Sequence, residues 1–243
     1  METELETELH RSRYLACERK GVFLLLMVSA GMMGAYTYNL RGGVFCNAQT
    51  ANVVLMAMAL GKGLWRQGLY YLIPITAYIS GAFVSEFFPD PVKKMGLLRW
   101  DTCLIGLEIA VLFLIGWIPL SAPHRIVQVI INFICSMQYN TFRQAEGIPM
   151  ATTFCTNHIR QIGVSLAKYV RHREAGALKR GLVHISMVGC FLGGGLILTA
   201  CCAPLQEKAI WLAILPLLAD FLILARADLG REHELLEQIP SGH

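Results

Sequence analysis

Long runs of apolar residues with little or no charge dominate this chain, and few architectures accommodate them. Residues 21–40 and 44–61 contain no charged side chain, and further apolar blocks fall at 68–88, 102–120, 126–142, 182–202 and 209–225. A hydrocarbon core of about 30 Å is crossed by roughly 20 mostly apolar residues in helical conformation. Charged residues make up 16% of the chain, against about 25% in a typical soluble domain. Transmembrane β-strands would instead give alternating segments of about ten residues, and the sequence has none. The blocks predict an all-α polytopic transmembrane helix bundle over residues 21–226, between tails at 1–20 and 227–243.

The charges left over speak to topology. The formal net charge is +4, and the basic residues gather beside block ends: Arg11, Arg13, Arg19 and Lys20 before the first, Arg171, Arg173, Lys179 and Arg180 around residue 175. The positive-inside rule then places both termini in the cytoplasm. No basic face of the kind that binds nucleic acid is present. Residues 5, 9 and 12 (Leu5, Leu9, Ser12) form at most a weak helical stripe in a solvated tail. The first block is longer than a signal-peptide core, and Gly34-Ala35-Tyr36-Thr37-Tyr38 is a poor cleavage site, so it reads as a retained span. Eight cysteines show no Cys-x-x-Cys spacing, which argues against a disulfide framework or a zinc site.

Two stretches break the apolar pattern. The first carries Asn47, Gln49, Thr50 and Asn52 just after Arg41-Gly42-Gly43; the second carries Thr152, Thr153, Thr156, Asn157 and Arg160 after Gly147-Ile148-Pro149. Placing Thr50 over Thr156 also brings Leu40-Arg41 near Phe142-Arg143, and Ile79-Ser80-Gly81-Ala82 over Phe191-Leu192-Gly193-Gly194. The chain therefore reads as two pseudo-repeated halves, 21–120 and 124–226. Six clear spans are expected, plus two polar motif helices that either cross or re-enter. Crossing makes the halves parallel; re-entry makes them inverted.

Gly31-x-x-x-Ala35 followed by Gly43-x-Phe45-x-Asn47-Ala48-Gln49-Thr50-x-Asn52 resembles the first signature of the YoaK-like family of bacterial membrane proteins. Phe142-Arg143, Gly147-Ile148-Pro149, Ala151-Thr152-Thr153 and Cys155-Thr156 resemble the second. The resemblance covers nearly the whole chain and implies a multi-pass protein of the bacterial cytoplasmic membrane, without an assigned activity or substrate. This chain reads Thr50-Ala51-Asn52 and Thr156-Asn157-His158 where the family has Thr-Gly-Asn.

Polar side chains at membrane depth are costly unless satisfied, so the motif residues should face inward. On a helix, Thr153, Thr156, Asn157 and Arg160 would share one face, as would Asn47 and Thr50, with Gln49 and Asn52 adjoining. Such faces either line a polar pathway or act as interhelical hydrogen-bond glue. Arg41 and Arg143 suit headgroup contact, carbonyl capping or an anion. Arg160 is the expected buried functional charge. Glu108 is the acid expected at depth, with Arg160 or His158 as partner, whereas His184 and Asp220 are expected near interfaces. No phosphate loop, metalloprotease pair or nucleophile elbow occurs, so no enzyme, cofactor or metal is expected. The leading expectation is a small secondary transporter or channel-like carrier of a small polar or anionic solute. The alternative is a membrane scaffold, sensor or lipid-interacting protein with structural motifs. Expected partners are the lipid bilayer, a small polar solute or proton, and a second copy of the chain.

Overall fold

The computed structural model describes residues 14–89, 96–236, 238 and 240. Leu5, Leu9, Ser12, Arg11 and Arg13, the turn at Asp90 and Pro91, and the last tail residues lie outside the described residues. Helices account for nearly all regular structure: α1 (Lys20–Leu40), α2 (Thr50–Gly61), α3 (Trp65–Tyr70), α4 (Leu72–Phe87), α5 (Trp100–Ile115), α6 (His124–Thr141), α7 (Thr156–His172), α8 (Ala175–Leu205) and α9 (Ile214–Asp228). Short 3-10 turns occupy Ala16–Glu18, Gln206–Ala213 and His233–Leu235. One antiparallel hairpin pairs β1 (Gln144–Ala145) with β2 (Ile148–Pro149).

An unbroken apolar run makes α1, and Gly42 and Gly43, both at positive φ (88° and 70°), end it by turning the chain back. About two-thirds of α1 is buried, so it forms the central helix. It packs along α8 through glycine on both sides: a Cβ on Gly31 would overlap the Phe191 carbonyl, and one on Gly194 the Val28 carbonyl. Asn39 Nδ2 then donates to Thr199 Oγ1 at 3.2 Å further along, so the two helices run in the same direction. A second parallel pair, α4 with α6, is built alike. A Cβ on Gly81 would overlap the Phe133 carbonyl. Ser136 Oγ donates to the Tyr78 carbonyl at 2.6 Å, and Asn140 Nδ2 to Ser85 Oγ at 2.9 Å.

The helix ends gather at two opposite poles. One is charged: Lys20 pairs with Glu146 at 2.6 Å, Arg143 with Glu86 at 2.6 Å, and Arg99 with Asp228 at 3.4 Å. There the Glu232 carboxylate accepts from the Ala16 amide at 3.0 Å, docking the segment after α9 on the one before α1. The other pole is aromatic, with Trp117, Trp211 and Phe113 in mutual ring contact and Lys208 over both indoles. Helices α1, α5 and α8 run from the charged pole to the aromatic one; α4, α6 and α9 run back.

Among the described residues, three helical stretches are long and apolar enough to cross a membrane: Lys20–Leu40, Trp65–Phe87 and Ala175–Asp228. The apolar blocks predict six clear spans. Helix α5 falls short because it has only 16 residues and carries Asp101 and Glu108. Helix α6 falls short because Gln128, Asn132, Gln138 and Asn140 dilute its apolar run. The blocks at 182–202 and 209–225 both lie in the third stretch, which folds back at Gln206 (φ 48°). Helix α2 is apolar but only 12 residues long.

Candidate functional site

The polar motifs lie only partly along helix faces, because both helices start late. Helix α2 begins at Thr50 and α7 at Thr156. Asn47 and Thr153 therefore sit in the irregular chain before them; Thr156, Asn157 and Arg160 do share one side of α7, without Thr153, and the Asn47–Thr50 face does not form. Residues 41–49 leave α1 at the aromatic pole and dip to the middle of α6. Gln49 Nε2 donates there to Asn132 Oδ1 and, at 3.5 Å, to the Cys46 carbonyl. Asn52 Nδ2 donates to Gln49 Oε1 at 2.9 Å, and Asn132 Nδ2 to the Gln128 carbonyl at 2.9 Å. Gln128 Nε2 closes the chain on the Arg41 carbonyl at 2.5 Å. Asn47 is buried with its amide against Gly34, while Thr50 is exposed. Helix α2 then brings the chain back to the aromatic pole, where the Arg125 guanidinium lies on the Tyr70 ring.

Residues 142–155 leave α6 at the charged pole and are held near its last turn. The Thr152 carbonyl accepts from Gln138 Nε2 of α6 at 3.1 Å. Thr152 and Thr153 are fully buried, and their hydroxyls have no hydrogen-bond partner. His158, in the first turn of α7, joins the Ala151 carbonyl through Nε2 (2.7 Å) and His184 Nδ1 of α8 through Nδ1 (2.9 Å). A carbonyl can only accept, so a neutral His158 carries its proton on Nε2 and accepts at Nδ1 from the His184 N–H. A cavity of about 530 Å³ opens between α7 and α8 at the charged pole, lined among others by Gln161, Lys168, Glu174, Arg180 and His184. His184 thus faces both the cavity and, through His158, the second motif.

A family model described as protein of unknown function (DUF1275) matches residues 22–223, which takes in both motifs. The chain belongs to the DUF1275 family. That membership agrees with the resemblance carried by the two signatures, and the matched span also contains Glu108, His184 and Asp220. No curated protein and no solved structure matches the chain.

Several residues of this DUF1275 chain sit elsewhere than their sequence context suggested. Arg160 is exposed and donates to Asn157 Oδ1 at 3.1 Å, so it is not the buried charge; Thr156 is exposed and Asn157 half-buried. Arg41 is the fully buried cation. Its guanidinium donates to Tyr36 Oη at 3.0 and 2.8 Å and to the Pro119 and Ile118 carbonyls at 3.1 and 2.5 Å, which leaves it capping a turn. Arg143 is half-exposed and holds Glu86 and the Asn140 carbonyl. His184 and Asp220 are buried, contrary to an interfacial placement.

Glu108 lies at depth, but neither Arg160 nor His158 meets it. On the neighbouring helix α9, whose Phe221 ring lies against Gly106 of α5, Asp220 is buried as well. Both side chains are fully buried, and none of their four oxygens has a hydrogen-bond partner. Sequence reading passed over Gln128, Asn132 and Gln138, whose only signal was a low apolar content in α6. It also missed Asp220 as a second acid enclosed in the core.

Proposed function

We propose that this protein is an integral membrane carrier of a small anionic solute, made of two inverted halves whose motif segments re-enter from opposite sides. The observation that carries this reading is the matched path of the two motifs. The first leaves α1, reaches the middle of α6 at Asn132 and returns to the aromatic pole; the second leaves α6 at the charged pole, is held by Gln138 in the last turn of that helix, and runs through α7 back to the same pole. Irregular backbone at membrane depth is tolerated where it is buried in protein or lines a polar route, and paired broken helices mark transporter sites. The exchanged packing of α1 on α8 and α4 on α6, with Asn39–Thr199 matching Asn140–Ser85, supports a pseudo-two-fold relation between halves. On this reading α1, α3–α4, α5, α6, α8 and α9 cross the bilayer, with both termini on the charged side.

Outward apolar side chains support the lipid setting. Phe83 on α4, Leu114 on α5, Leu196 on α8 and Leu215 on α9 are each more than 60% exposed, as apolar side chains facing lipid would be. Lys168 and Arg180 at the cavity favour an anion over a neutral solute. The closed hydrogen-bond chain at the first motif favours a second reading, a scaffold in which that motif is glue.

Reconstituted protein on a solid-supported membrane separates the two. Currents evoked by acetate, lactate, chloride and phosphate are compared between wild type, Lys168→Ala/Arg180→Ala, His158→Ala and Asn47→Ala, with thermal unfolding as the folding control. The carrier reading expects a current for at least one anion, reduced in the double variant and lost in folded motif variants. Silence across the whole panel, or currents untouched in folded variants, overturns it in favour of the scaffold.

A further inference from the structure

We propose that Glu108 and Asp220 form a proton-binding carboxyl pair at the centre of the molecule. They come from different helices, α5 and α9, which pack antiparallel with Gly106 against the Phe221 ring, close in sequence to both acids. Around them the core is hydrocarbon: Leu104, Ile105 and Leu112 on α5 and Leu217 on α9 are all fully buried. All four carboxyl oxygens are out of contact with solvent, and none accepts a hydrogen bond. An ionised carboxylate without donor or counter-ion is not tolerated in such a place; it takes up a proton instead. A second carboxyl on the neighbouring helix reinforces the demand, because a charge on one disfavours ionisation of the other.

The surroundings contain no rival for that proton. The elements packed against α5 and α9 bring Tyr36, Cys135, Glu207, Lys208, Cys17 and Glu18, and the charged pole brings Asp101 and Asp228. Of these, Cys135 on α6 is itself fully buried. Among the described residues no arginine, lysine or histidine pairs with either acid. Nor does any group of three or more acidic, histidine or cysteine side chains there suit a metal ion.

On the carrier reading, with its two related halves, a rearrangement of one half against the other would alter the exposure of both acids together. Protons would then enter as water-borne H⁺ at one carboxylate, be held as the neutral acid, and leave from it on the other side. Proton binding by the pair stands on its own; its use as the coupling site rests on the carrier reading.

Infrared titration of the full-length protein in proteoliposomes tests the binding. Wild type is expected to give a protonated-carboxyl C=O band that disappears reversibly at alkaline pH and is the same in sodium and choline buffers. Glu108→Gln and Asp220→Asn should each shift the pH at which the remaining band is lost, and the double variant should abolish it. Both substitutions keep shape, and thermal unfolding confirms the fold. If either single variant fails to fold, the other supplies the test. No titrating band in wild type, a band that survives in the double variant, or one displaced by sodium overturns the proposal. Coupling is read separately, as internal acidification of dye-loaded vesicles upon addition of the anion that evokes current. Loss of acidification with the anion current retained in Glu108→Gln supports coupling. Equal acidification in wild type and variant removes the coupling role and leaves the carrier reading intact.

Discussion

Arg41 illustrates how a single side chain is decided by its surroundings. It follows a long apolar helix, where headgroup contact is the ordinary fate of an arginine. Here it is enclosed and distributes its donors over Tyr36 Oη and two turn carbonyls. Arg41→Ala leaves those carbonyls buried and unsatisfied, and should cost about 3 kcal/mol, read as a lowered unfolding temperature in detergent. Arg41→Lys should recover only part of that, since an ammonium cannot reproduce the planar fork. Cys17 makes a second residue-scale case. It lies before α1, fully enclosed, and desolvation pushes its thiol well above the usual cysteine range. The thiolate is the reactive form, so Cys17 should resist iodoacetamide at neutral pH and react only on strong alkalinisation or unfolding. Rapid modification of the folded protein at neutral pH would contradict the burial.

At the scale of elements, contact between α1 and α8 depends on which glycine faces the seam. The run Gly193-Gly194-Gly195 marks a close-packing point, but the sequence does not say which member makes the contact. A Cβ on Gly194 would overlap the Val28 carbonyl, whereas one on Gly193 meets nothing within 4 Å. Gly194→Ala should destabilise by about 1–3 kcal/mol, because the helices must separate or bend. Gly193→Ala should be neutral or stabilising by up to about 1 kcal/mol, from helix propensity alone. Paired unfolding curves check the contrast, and equal effects would mean that the seam lies on another face. Helices α2 and α7 carry the complementary lesson. The motif residues were legible as polar and matched, but their helix starts were not. A helix start is set by where tertiary contacts hold the preceding loop, such as Gln138 on the Thr152 carbonyl.

For the molecule as a whole, the decisive question is which residues share a side of the bilayer. With re-entrant motifs, Lys62 and Lys208 face the same side and Glu174 the other; with crossing motifs, Lys62 moves to the side of Glu174. Cysteines placed singly at these exposed positions, with Cys103, Cys155, Cys190 and Cys201 replaced by serine, should show it. An impermeant thiol reagent added to cells should label Lys62→Cys and Lys208→Cys and spare Glu174→Cys. Labelling of Lys208→Cys without Lys62→Cys would remove the inverted arrangement.

By itself, the sequence determined the helical class, the apolar character, the family signatures and the two matched polar stretches. These follow from composition, run length and spacing, which are local properties. Which polar groups end in the interior was decided by the tertiary structure. A lone Asp220 near the end of an apolar block reads like any interfacial acid until α9 folds back along α5 and sets it beside Glu108. Arg160 reads like a buried charge until α7 turns that side outward. Burial is a property of pairs of elements, and one strand of text holds only the members. The polar stretch after Arg41 was visible from the start; that it dips to Asn132 and returns the way it came was settled only by the packing of α6 against it.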